Sequence, residues 1–378
     1  MKINSTRLSI IIPTKNRYST LFHVVKSILN NVKGSNYEVV IQDNSDCNKD
    51  ALLFIHQQGD DERIKYFYNN EVMPISDNTE LAIKNSSGTY ICFIGDDDFV
   101  SPQICEITNV LYNKDISCLI YNPGYYWWDS VKFYKENYYH QPKNLWLPDK
   151  MSKDLVLLNS NEELNKTLKK GAVSYYSLPR LYHGIVKREV LDKIRDKTGV
   201  YLTGSCPDIA FAVSLSLVIE KYYYMDFPVT IFGASKNSGG GWTASKKHYG
   251  TLGEITFLRP NIQDVWDFNI PKIWSQTTIY PQTTSEVLKV FDFHQKINYI
   301  SFYATMLVNE PYLFSLLYKS IFNYCRFNPI KYLMLFLKIF KKLMGLLLRS
   351  IKIKTHNLGY DVHQKVEVNQ LSKFFPKY

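Results

Sequence analysis

Long apolar runs are missing from this 378-residue chain. No uninterrupted stretch approaches the roughly 20 apolar residues that a bilayer-spanning helix requires. The run from Leu8 to Pro13 is too short for a secretory leader and is followed at once by a polar loop. Cysteine is scarce as well. Positions 47, 92, 105, 118, 206 and 325 form no CxxC pair and no metal-finger spacing, which excludes a zinc module. Several lie in apolar runs, where a free thiol behaves as a small hydrophobe, so a reduced, cytoplasmic protein is expected. Acid is absent from one long segment: between Pro311 and Lys354 there are nine Lys or Arg and no Asp or Glu. That segment carries nearly all of the formal net charge of +10, leaving +1 for the rest (10 − 9). Positive charge confined to an apolar C-terminal segment argues for a membrane surface, and against nucleic acid, as the partner.

Residues 8–12 (LSIII) form a short β-branched run ending at Pro13, as expected of a buried parallel strand. Leu21, Val24, Val25, Ile28 and Leu29 then follow helical spacing. Further strands are expected over 37–41, 64–68 and 89–95, with helical character over 77–86. This alternation predicts an open, doubly wound, mostly parallel α/β sheet. In such sheets ligands bind outside the carboxyl ends of the strands. Thr14 to Arg17, Asp43 to Asp46 and Asp96 to Asp98 all fall at those ends.

Consecutive carboxylates at a buried strand's mouth repel one another unless something positive sits among them. Asp96, Asp97 and Asp98 are hard oxygen ligands of the kind that suits Mg²⁺ or Mn²⁺ bridging to phosphate. A solvated acidic turn capping the helix near Ser101 is the plainer alternative.

The segments LSIIIPTKNR, VVIQDNSD and SGTYICFIGDDDFVSP resemble the donor half of family 2 glycosyltransferases with the GT-A fold. The resemblance is close over about residues 7–110 and weak to about 240. It implies a nucleotide-sugar donor whose base is held by Pro13, Thr14, Asn16, Arg17 and Asp43. It also implies that Asp96 contacts ribose or metal, that Asp98 binds metal, that Asp97 belongs to the donor site and that Asn78 faces the nucleotide. The chain departs from the family pattern in a compressed Asp43-Asn44-Ser45-Asp46 and in lacking the usual glutamate–aspartate pair. Its nearest equivalent is Pro207-Asp208, making Asp208 either the catalytic base or a helix N-cap. The processive-synthase pattern Gln-x-x-Arg-Trp is absent, which favours single-sugar addition, and direct displacement with Asp208 as base implies inversion.

Downstream, Ser235 to Trp242 could close over a diphosphate with Lys236, and with His248 nearby, or could be a plain surface loop. The aromatics Tyr125, Tyr126, Trp127 and Trp128 either stack on an acceptor sugar or fill the core. Lys331, Lys338, Lys341, Lys342, Arg349 and Lys352 fall within one stripe of about 100° on a helix. This predicts a helix lying on an anionic membrane. A GT-A domain over 1–250, a helical membrane-docking region over 251–354 and a polar tail over 355–378 are expected. The layout points to a lipid-linked saccharide acceptor in bacterial surface-polysaccharide synthesis of the O-antigen or capsule kind, at the inner face of the cell membrane. Two rivals are a nucleotidyltransferase and a non-catalytic membrane adaptor. The first expects a glycine-rich phosphate loop near the first strand, and PTKNR has no glycine.

Overall fold

Ile10, Ile11 and Ile12 are inaccessible to solvent on both faces of their strand, as a central parallel strand requires. The computed structural model describes residues 7–378. The strands are β1 (Leu8–Thr14), β2 (Tyr37–Asp43), β3 (Ile64–Tyr68), β4 (Tyr90–Phe93), β5 (Phe99–Val100), β6 (Cys118–Tyr121), β7 (Gly124–Trp127) and β8 (Leu145–Pro148). They continue with β9 (Leu155–Asn159), β10 (Gly184–Lys187), β11 (Lys221–Met225), β12 (Thr230–Ala234), β13 (Tyr249–Gly250), β14 (Trp274–Ser275) and β15 (Tyr360–His363). Eight of them form the main sheet in the order β3-β2-β1-β4-β10-β6-β11-β9. Only β10 and β9 run against the rest, so the expected doubly wound, mostly parallel sheet is present.

Alternate side chains of β1 feed two cores. Ile11 joins Val40 and Ile91 under the helices Ile75–Lys84, Arg188–Thr198 and Pro207–Val218. Ile10 and Ile12 join Val39 and Cys92 under the helices Tyr18–Asn31 and Ile104–Asn113. The register Thr14↔Asp43 and Asp43↔Tyr68 brings the strand ends level, so their loops share one edge.

A second sheet, β15-β8-β7-β12-β5, packs beside the first. Its strand β8 has no counterpart among the strands expected from the sequence. The tail is likewise more than a polar appendage. β15 pairs with β8, and Leu371, in the short helix Val368–Phe374, is fully buried in the core that holds Ile10. Nor does residue 250 separate two cores, because Ile279, Val287, Phe302 and Tyr303 share the cluster of Ile11 and Val40.

The helix Pro329–Lys354 has 26 residues, about 39 Å at 1.5 Å per residue. Leu335 is its one buried residue. Lys331, Lys338 and Lys342 of the predicted stripe are half-buried against the body, while Lys341, Arg349 and Lys352 are exposed. The opposite face, with Leu333, Phe336, Leu337, Phe340, Leu343 and Leu347, is open to solvent. Among the described residues no helix is long and apolar enough to cross a membrane.

Candidate active site at the carboxyl edge of the sheet

Asp96, Asp97 and Asp98 follow β4 and are almost completely buried. The Thr14 hydroxyl, at the end of β1, donates to Asp96 Oδ2 at 2.6 Å. Arg17 forks across the first two carboxylates, with Nη1 2.9 Å from Asp96 Oδ1 and Nη2 2.8 Å from Asp97 Oδ2. Nη2 also donates to Ser235 Oγ at 2.9 Å, and the Ser235 N–H donates to Asp97 Oδ2 at 2.9 Å. The loop after β12 is therefore fastened to the acidic turn.

Burial pushes Asp96 up to about 7, with Arg17 pulling the other way. Asp97 is raised for the same reason. Burial works against the Arg17 charge, but Asp97 and Asp96 outweigh it and keep the guanidinium protonated.

Asp98 differs. Its Oδ2 accepts from the Gly95 N–H at 2.6 Å and the Tyr182 hydroxyl at 2.9 Å, and lies 2.9 Å from His183 Nε2; Oδ1 accepts from the Gly233 N–H at 2.6 Å. Burial alone would raise Asp98, yet His183 and these N–H groups hold it below the ordinary carboxylate range. Burial keeps His183 low, so a neutral ring serves both contacts, giving Nε2–H to Asp98 and taking the Thr230 hydroxyl at Nδ1, 2.6 Å away. His183 sits at φ 50, an unusual conformation for a non-glycine residue.

Of the expected metal ligands Asp96 and Asp98, Asp98 is the more engaged by the protein, with three partners at its Oδ2 and one at its Oδ1. The carboxylate that shares a cation with Asp96 is Asp97. Asp96 Oδ1 receives no hydrogen bond although the Arg17 charge is close, and Asn78 Oδ1 is a second buried acceptor without a donor. The Asp96–Asp97 side thus fits a divalent ion in its donor chemistry, since Mg²⁺ is typically held by one or two carboxylates together with substrate phosphates.

The other donor-site residues gather around the same edge. Asn78 Nδ2 donates to the Gln42 carbonyl at 3.2 Å, leaving its free oxygen for a ligand. Asn16 exchanges two 3.0 Å hydrogen bonds with Asp46, tying the first loop to the second, and Pro13 is half-buried beside Thr14. Asp43 is fully buried and accepts from the Tyr66 hydroxyl at 2.7 Å, the Tyr18 hydroxyl and the Ser45 N–H. These tyrosines were invisible in the motif.

The two residues expected to face a phosphate, Lys236 and His248, lie in different surroundings. Lys236 is exposed, and its backbone N–H donates to Ser130 Oγ. His248 packs on Trp274 at 4.7 Å, and burial pushes it down to about 4, so it brings no positive charge.

Asp208 opens the helix Pro207–Val218, whose N-cap is Cys206. It is hemmed in yet keeps some solvent exposure. Tyr175 donates to Asp208 Oδ2 at 3.3 Å, burial pushes the carboxyl up to about 7, and the charge of Asp98 adds to the rise. Tyr176, stacked on Tyr175 at 5.1 Å and 48% exposed, opens this tyrosine wall to solvent. Tyr125 stacks on Phe232 at 5.5 Å, whereas Tyr126 and Trp128 are core residues and Trp127 packs on Phe133.

Parts of the chain are similar to known proteins. The chain is 35% identical over 106 residues to an uncharacterized glycosyltransferase of Rickettsia conorii, covering 28% of this chain and 17% of that one. It is 33% identical over 93 residues to the GalNAc(5)-diNAcBac-PP-undecaprenol beta-1,3-glucosyltransferase of Campylobacter jejuni, covering 24% and 30%. The matched stretch thus spans less than a third of either relative. Among solved structures, S. aureus TarS 1-349 in complex with UDP-GlcNAc aligns with a TM-score of 0.44 and 16% identity, over 61% of this chain and 60% of that one. Residues 9–162, which hold the acidic turn and the strands that position it, match the model of glycosyl transferase family 2.

Proposed function

We propose that the protein transfers one sugar, with inversion, from a nucleotide-sugar donor to a hydroxyl of a lipid-linked saccharide. One observation carries this reading. Asp208, raised to about 7, and Asp98 are held by neighbouring tyrosines, Tyr175 and Tyr182, at the edge where the donor residues converge. A carboxylate with a proton affinity near neutrality suits a general base. An acceptor hydroxyl within reach of Asp208 would lose its proton there while its oxygen attacks the anomeric carbon from the face opposite the diphosphate. The free oxygens of Asn78 and Asp96 are acceptors for N–H and O–H groups of the nucleoside. A divalent cation, Mg²⁺ or Mn²⁺, would be held by Asp96 and Asp97 and would neutralise the diphosphate as it leaves.

The exposed apolar face of Pro329–Lys354 supports docking on an anionic membrane, which would bring a lipid-linked acceptor to the cleft. A soluble monomer seldom leaves so continuous an apolar face uncovered. Lys341, Arg349 and Lys352 are free to meet lipid phosphates. The C. jejuni relative's undecaprenol-linked substrate supports a lipid-linked acceptor, and synthesis of a bacterial surface polysaccharide is the setting proposed for it.

A screen of UDP-, GDP-, CDP- and dTDP-sugars for hydrolysis and for thermal stabilisation, with and without Mn²⁺, tests the donor reading. Hydrolysis or stabilisation by one nucleotide class supports it. No response to any class would leave a membrane adaptor as the better description.

A further inference from the structure

Arg17 occupies an unexpected place. Three carboxylates in a row need a counter-charge, and here the protein supplies one from its own first loop. The guanidinium lies within 2.9 Å of both Asp96 and Asp97, and its Nε is a buried donor with no acceptor. Of the three carboxylates, His183 and Tyr182 meet Asp98 alone. Lys15 points away, to Asn44 Oδ1 at 3.2 Å. Arg17 is therefore the cation of the Asp96–Asp97 pair among the described residues.

We propose that Arg17 is a resident counter-cation which a divalent metal ion must displace from Asp96 and Asp97. This rests on the reading that the pair holds such an ion. Two cations cannot share these carboxylates closely, because like charges about 4 Å apart at a buried site repel strongly. The free protein then binds divalent metal poorly. A diphosphate changes the balance, since a guanidinium pairs as well with phosphate oxygens as with carboxylates. Arg17 can swing from the turn to the incoming phosphates and leave Asp96 and Asp97 to the metal. Its second tie, to Ser235 Oγ, makes the same movement release one fastening of the loop after β12.

The test uses Mn²⁺ alone, without nucleotide, so that it is independent of whether the protein transfers sugar. Free Mn²⁺ is followed by electron paramagnetic resonance as full-length wild type, Arg17→Gln, Arg17→Lys and the double variant Arg17→Gln/Asp97→Asn are titrated. Arg17→Gln should bind at least about tenfold more tightly than wild type, and Arg17→Lys should stay close to wild type. The double variant should lose the gain. Equal or weaker binding by Arg17→Gln, or a gain that survives loss of Asp97, would overturn the proposal. Should Arg17→Gln be too unstable to titrate, its melting temperature with and without Mn²⁺ gives the same reading. A Mn²⁺-dependent rise larger than that of wild type supports the displacement, and an equal or smaller one refutes it.

Discussion

Tyr182 and Asp98, 84 positions apart in the chain, meet through a 2.9 Å hydrogen bond that joins the donor side of the cleft to the side facing Asp208. Gly95, His183 and Gly233 complete the shell around the same carboxylate. Asp98 is consequently a structural hub as much as a candidate for chemistry. Asparagine offers one acceptor oxygen where the carboxylate offers two, and its amide would face N–H or O–H donors. Asp98→Asn should therefore lower the unfolding free energy by about 3 kcal/mol or more, read by urea denaturation. A variant as stable as wild type would mean that the four donors are not engaged in solution.

Asp208 has a testable pH signature. As the base it must be unprotonated, so kcat/KM should rise with pH and level off above about 7. Asp208→Asn should abolish that ascending limb and lower turnover at least about 100-fold, with donor affinity nearly unchanged. Stability runs the other way. The folded carboxyl binds its proton more tightly than the unfolded one, so this group's contribution is complete below the ordinary carboxyl value and is lost as pH rises through about 7. Asp208→Asn should flatten that dependence. Turnover near the wild-type rate would place the base elsewhere.

Asp43 depends on tyrosine hydroxyls supplied by the helix after the first loop and by β3. Tyr66→Phe removes one hydrogen bond to a buried carboxylate and should cost about 1.5–3 kcal/mol of stability. It should also weaken nucleotide binding if Asp43 holds the base. Calorimetric titration with the nucleotide that stabilises the wild type separates the two effects.

The exposed face of Pro329–Lys354 gives a clean surface test. Phe336 and Phe340 are 64% and 58% exposed, so replacing both with Glu should leave the melting temperature nearly unchanged. Burying each phenyl group in lipid contributes about 1.5–3 kcal/mol, so the double variant should bind vesicles of mixed phosphatidylcholine and phosphatidylglycerol at least about tenfold more weakly. Wild-type binding should also weaken with salt. Co-sedimentation that is indifferent to both changes would remove the membrane from the account.

The strands of the donor half were legible because their apolar runs are local and punctuated. LSIII ends at Pro13, and TYICFIG ends at the acidic turn. Thr14, Arg17 and Asp96 could be grouped from their positions after those strands. Three of the four partners of Asp98 could not, because Tyr182, His183 and Gly233 arrive through non-local packing. A lone histidine carries no spacing signal. β8 and β15 escaped for the same reason: each is short, and their pairing of Tyr360 with Pro148 crosses more than half the chain. The tail looks polar because only a few widely spaced residues, Val366, Leu371 and Phe375, turn inward.

That tail changes what the neighbouring helix can be. Beyond Lys354, His356 stacks on Tyr138 at 3.8 Å, β15 joins the second sheet, and the Tyr378 N–H donates to Gln103 at 2.6 Å. At its start, Lys331 donates to the Tyr324 carbonyl at 2.7 Å. The apolar ridge is thus a handle riveted at both ends. It cannot be cut away to test it, since any truncation that removes it also strips an edge strand and a core plug. Pressed onto a flat surface, a handle fixed in this way holds the body at one tilt, so the cleft would meet every acceptor from the same height and direction.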